Sequence, residues 1–196
     1  SADEGTIELG ATDLTRLSAW KRSRAGISRT FQLSRLFRNL SIEDNLLLAL
    51  RNQDDRFWAM LWRGEAGDDA ERKRIGETMT FVGLEKDPKT IVTDLSYGQQ
   101  KLFDLARALL NPHDLLLLDE PVAGVNPVLR DTFKTMLKSL KAKGETVFLI
   151  EHDMDFVRAV ADHVIVMDQG GVLASGNPER VLKDPKVLEA YLGMDV

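Results

Sequence analysis

The chain has 196 residues, 43% of them hydrophobic and 29% charged, and a net charge of −5 from 26 basic and 31 acidic side chains. That length can build one sizeable core or two small lobes, and the acidic balance argues against a non-specific nucleic-acid binder, a class that is usually basic. The absence of cysteine excludes a disulfide framework and a thiolate metal site, and no apolar run approaches the roughly 18 residues needed to span a bilayer.

The opening Ser1-Ala2-Asp3-Glu4-Gly5 does not read as a signal peptide, so a soluble protein is expected, with any membrane role exercised through a spanning partner. Thr6 to Leu9 is a short strand candidate. Asp13 to Trp20 is polar and reads as a turn into a short helix. Ile27 to Phe31 reads as a strand leading into a loop at Gln32. From Phe37 the character changes. Ser41 stands at an N-cap with Asp44 at N3, ahead of Leu46, Leu47, Leu48 and Leu50. A mixed stretch follows with Trp58, Met60, Leu61 and Trp62, which core packing or a partner contact would both explain. Ala70 to Val82 carries Ile75, Met79 and Val82 at helical spacing.

Ser96 is an N-cap candidate in Leu95-Ser96-Tyr97-Gly98-Gln99-Gln100, and Gly98 in the first turn would let a ligand approach the backbone. A helix N-terminus with free N–H groups is an anion site in waiting; a plain capped amphipathic helix has the same pattern. Next comes Leu115 to Leu118, four leucines with no polar alternation. Such a run suits a strand of a parallel sheet buried on both faces, though a buried helix segment would look alike. Pro121 and Gly124 favour a strand that ends in a loop. Asp119 and Glu120 then stand at its carboxyl end, where open parallel sheets bind ligands. An acidic loop after a core strand is the plainer reading.

Asn126-Pro127 reads as an N-cap with proline at the first helical position, opening a helix that Gly144 ends. Thr146 to Ile150 is expected to be a second buried strand, and His152 follows at its carboxyl end, placed to meet a phosphate oxygen or orient a water. Met154 to Ala161 reads as a short helix. Val164 to Met167 and Val172 to Ala174 read as a hairpin joined at Gly170-Gly171. Asn177-Pro178 and Asp184-Pro185 both read as helix starts.

Gln32, then L-S-Y-G-Q-Q at 95–100, L-L-L-L-D-E-P at 115–121 and His152, in that order, resemble the nucleotide-binding subunit of ABC transporters over essentially the whole chain. Ile27 to Gln32, Leu36-Phe37-Arg38 and Ala123 to Pro127 look most like the ATPases of branched-chain amino acid importers, a pattern that urea and other amide importers largely share. The resemblance implies an α/β fold, a P-loop NTPase-like parallel sheet with an inserted helical lobe. Residues 1–32 would be the remnant of the N-terminal β part and Q-loop strand, 33–110 the helical lobe ending in the signature helix, and 111–196 the ATPase core. It implies ATP and Mg2+ as cofactors. Glu120, His152 and Gln32 would be catalytic, and Asp119 with Gln32 would serve the metal. Ser96, Gly98, Gln99 and Asn126 would contact nucleotide, the signature residues gripping the partner's ATP. Its implied partners are a second ATPase subunit and membrane-spanning permeases, with the protein on the inner face of the cell membrane.

Three departures stand out. Tyr97 replaces the first glycine of the common L-S-G-G-Q, and Asn126 stands where many members have aspartate. The phosphate-cradling G-x-x-x-x-G-K-[ST] pattern does not occur in the chain. In the family it lies ahead of the segment that residues 1–5 resemble, as does the adenine-stacking aromatic. The resemblance therefore implies an N-terminally truncated domain, without its first strands and P-loop, that is inactive alone. Alternatives are a non-catalytic module that kept the fold, or the ATPase of another ABC system.

Overall fold

The unbroken leucine run becomes the middle strand of a three-stranded parallel sheet. The computed structural model describes residues 3–30, 37–51 and 68–192. Its elements follow in chain order: β1 (Glu8–Leu9), β2 (Thr12–Asp13), α1 (Ala19–Arg24), β3 (Ile27–Arg29), α2 (Ile42–Leu50), α3 (Asp69–Val82) and α4 (Tyr97–Leu110). Then come β4 (Leu115–Asp119), α5 (Pro127–Ala142), β5 (Val147–Ile150), α6 (Met154–Val160), β6 (Val164–Asp168), β7 (Gly171–Gly176), α7 (Pro178–Val181) and α8 (Pro185–Leu192).

The sheet order is β3-β4-β5. Ile27 faces Leu115 across one parallel ladder, and Leu116 faces Val147 and Asp119 faces Ile150 across the other. Leu116 and Leu118 are fully buried, whereas Leu115 and Leu117 are only partly covered. The both-face burial expected of β4 is thus complete on one face and partial on the other. For β5 the expectation fails on alternate residues: Phe148 is 53% and Ile150 51% exposed. The physical reason is a sheet with one covered face: Val147 and Leu149 pack against the core, while Phe148 and Ile150 point to the opposite face, which no described element covers fully. A cavity of about 390 Å3 lies between β5 and β6, lined by Val147, Phe148 and Leu149 and by Val164 and Ile165.

Helix boundaries follow local chemistry. Ser41 Oγ accepts from the Asp44 N–H at 3.1 Å, as the spacing predicts for α2. Asp68 and Glu71 form a reciprocal capping box at the start of α3, and Gly83 ends that helix in the left-handed region at φ 72°. Asn126 caps α5, with Pro127 at its first position. The β6–β7 hairpin turns one residue earlier than expected. Gln169 and Gly170 both take positive φ, 46° and 82°, which gives the twist that a two-residue hairpin turn needs.

One continuous core joins α2, α3, α4, β4, α5 and α6, with Phe103, Phe133 and Phe156 fully buried in it. Each such side chain contributes about 1.5–3 kcal/mol through burial. Arg51 at the end of α2 makes two bonds to Glu71 in α3, Nε to Oε1 at 2.7 Å and Nη2 to Oε2 at 2.5 Å. A smaller cluster of Val164, Val166, Val181, Leu182 and Val187 packs the carboxyl-terminal hairpin against α7 and α8. Among the described residues no helix is long and apolar enough to cross a membrane.

Candidate active site

At the carboxyl end of β4 the chain turns sharply, because Glu120 adopts φ 45°. A glutamate at positive φ is uncommon and costs about 1–3 kcal/mol, so its surroundings must impose it. Three bonds do so. The Glu120 N–H donates to the Ile150 carbonyl at 2.9 Å, continuing the β5 ladder, and the Glu120 carbonyl accepts from the Ala123 N–H at 3.2 Å. The same carbonyl accepts from Lys101 Nζ at 3.1 Å.

His152 lies just beyond the neighbouring parallel strand. Its Nδ1 stands 3.8 Å from Glu120 Oε1. The two residues expected to act together therefore do meet at one rim of the sheet, and the imidazole, 66% exposed, faces solvent where a ligand can reach it. A carboxylate and an imidazole in this arrangement can polarise a water and contact an anionic oxygen.

Asp119, the last residue of β4, is held differently. Arg29 Nη2 donates to its Oδ2 at 2.9 Å, and its N–H donates to Thr30 Oγ1 at 3.2 Å. Among the described residues no group of three or more His, Asp or Glu stands together as a metal cage. Magnesium commonly takes one or two carboxylates and completes its shell with water and substrate phosphates. Asp119 fits that limited role.

The signature segment lies at the start of α4. Ser96 Oγ accepts from the Gln99 N–H at 3.4 Å, and Gln99 Oε1 accepts from the Ser96 N–H at 3.0 Å. Both side chains are thus committed to a capping box. A Cβ added at Gly98 would lie 2.9 Å from Leu129 Cδ2, so this glycine also serves close packing of α4 on α5. Asn126 Oδ1 accepts from the Leu129 N–H at 2.9 Å. Gly98 and Asn126 thus both adjoin Leu129, which sets the start of α4 beside the start of α5. Gln32, Trp58, Met60, Leu61 and Trp62 lie outside the described residues.

Two groups of residues gained no role from the sequence. Glu151 bridges the loops, its Oε1 accepting from the Val122 N–H at 3.0 Å and its Oε2 from the His152 N–H at 3.1 Å. Its position beside His152 was the available signal. Tyr97 and Lys101 reach across to the segment after β4, the phenol donating to the Ala123 carbonyl at 2.9 Å. No spacing rule predicts that contact.

Parallel strands alternating with helices, with acidic residues and a histidine at their carboxyl rim, define an α/β protein whose candidate site lies at the strand ends. Residues 1–123 match the family model described as ABC transporter, and residues 172–193 match that of the branched-chain amino acid ATP-binding cassette transporter. The chain is 37% identical over 194 residues to the high-affinity branched-chain amino acid transport ATP-binding protein BraF of Pseudomonas aeruginosa, covering 96% of this chain and 76% of that protein. It is likewise 37% identical over 196 residues to a probable branched-chain amino acid transport ATP-binding protein, LivG, of Archaeoglobus fulgidus, covering 98% and 75%. The solved ADP conformation of MJ1267, an ATP-binding cassette of an ABC transporter, superposes with a TM-score of 0.81 at 31% identity, over 98% of this chain and 78% of that one.

The chain belongs to the ABC transporter family, as an ATP-binding subunit homologous to the branched-chain amino acid importer ATPases. That family hydrolyses ATP to ADP and phosphate.

Proposed function

We propose that this chain carries the hydrolytic half of an ATPase subunit that powers import of branched-chain amino acids. The observation behind this reading is the 3.8 Å approach of His152 to Glu120 at the rim of two adjacent parallel strands. Glu120 polarises the attacking water, and His152 contacts the terminal phosphate. Asp119 would hold the magnesium ion, in exchange for part or all of its bond to Arg29, and Gln32 would serve the same metal and water. Bound magnesium would neutralise charge on the phosphates.

Ser96, Gly98 and Gln99 grip the ATP of a second subunit, with Asn126 beside them, so two copies close on nucleotide and part after hydrolysis. Permeases in the membrane receive that motion through the helical lobe, residues 33–110, with the subunit on the cytoplasmic face. Phosphoryl transfer rests on positioning and charge stabilisation, and most of the latter normally comes from the P-loop and its lysine. The 196 residues alone therefore bind ATP very weakly and hydrolyse none. Micromolar Mg-ATP binding in calorimetry would contradict this.

The substrate assignment has its own test. The chain is joined behind the P-loop-bearing segment of BraF and expressed in cells lacking their importer ATPase. Labelled leucine uptake should return. A folded, ATP-hydrolysing fusion that restores no uptake would point to a different ABC system.

A further inference from the structure

The segment after β4 is fixed from two sides. On the β5 side, Glu120 N–H donates to the Ile150 carbonyl at 2.9 Å and Val122 N–H donates to Glu151 at 3.0 Å. On the α4 side, Lys101 Nζ donates to the Glu120 carbonyl at 3.1 Å and Tyr97 Oη to the Ala123 carbonyl at 2.9 Å. The two α4 residues are one turn apart, and the ammonium lies 5.7 Å from the centre of the Tyr97 ring. Gly124, at φ 70°, passes beneath that ring, where an added Cβ would come to 3.4 Å. The strained glutamate and the end of its loop are thus held by the helix that begins at the signature segment.

We propose that Tyr97 and Lys101 are positioning residues: from the start of α4 they clamp residues 120–124 and so set the direction in which Glu120 presents its carboxylate to His152. The proposal rests on the hydrolytic role of Glu120 and deepens it. It also gives a physical reason for a tyrosine at this position. Any ligand that shifts the start of α4 pulls on two carbonyls of the loop that carries the carboxylate, which couples the signature segment to the chain's own hydrolytic rim. A glycine at position 97 has no such handle.

The test uses the 196-residue chain without nucleotide, so its failure is separate from any failure of the ATPase reading. Hydrogen exchange is followed at residues 122–126, together with the imidazole NMR signals of the three histidines. Removing one clamp, by Tyr97→Phe or Lys101→Met, should speed exchange of the loop about five- to tenfold, the value of one net hydrogen bond. The His152 signals should shift, while those of His113 and His163 hold. Amides of Leu102–Leu110 should be unchanged, showing that α4 is intact. Lys101→Arg should keep both readouts near the parent, because a guanidinium can donate to the same carbonyl. Unchanged loop exchange in both clamp variants would overturn the proposal. So would faster exchange with an unmoved His152 signal, which would leave these residues a structural role only.

Discussion

Arg29, at the end of β3, donates to the carboxylate of Asp119 at 2.9 Å, so the residue expected to serve a metal is already paired with a cation. The guanidinium is half exposed, and exposed pairs contribute little, about 0–1 kcal/mol. Arg29→Gln should therefore lower stability by less than about 1 kcal/mol in urea unfolding. A loss of several kcal/mol would make the pair structural and leave Asp119 unavailable to a metal.

Arg51 and Glu71 present the opposite case. Their side chains are 5% and 14% exposed, and they join α2 to α3. Losing the guanidinium takes two charged hydrogen bonds from a nearly buried carboxylate, so Arg51→Met should cost about 3–5 kcal/mol. Adding Glu71→Gln should recover much of that loss, because the amide can still accept from the Asp68 N–H that Glu71 now caps. A double variant no better than the single would mean that the loss comes from packing of the arginine stem.

Much of this architecture was legible from local chemistry. Ser41, Ser96, Asn126 and the leucine run each determine their structure within a few residues, and each element formed where that chemistry predicted. The meeting of Glu120 and His152 was legible only through the order of the motifs. What could not be read depends on contacts between distant segments. The exposure of Phe148 and Ile150 depends on what packs over their face of the sheet, and a strand's own residues do not report that. Glu151, Lys101 and Tyr97 act on backbone groups, which look the same in every sequence.

The capping box at Ser96 gives a quantitative check on α4. Ser96→Ala removes the acceptor for the Gln99 N–H and should cost about 1 kcal/mol, read as a lower urea midpoint. An unchanged midpoint would show that the box is absent in solution, leaving Ser96 and Gln99 available to a ligand without cost.

The uncovered apolar face of β5 predicts association. Phe148 and Ile150 are about half exposed on it, and exposed apolar patches favour contact with other chains. Light scattering should show mass rising with concentration, and Phe148→Lys with Ile150→Lys should suppress that rise. A monomer at high concentration would contradict the prediction.

The most direct measurement of the central claim is ATP turnover by this chain joined to a P-loop-bearing segment, with and without Glu120→Gln. The parent fusion should hydrolyse ATP. The variant should retain ATP binding and lose turnover by roughly 10²–10⁴-fold, the usual contribution of a positioned general base. Equal turnover in the two proteins would contradict the role assigned to Glu120 at the rim it shares with His152.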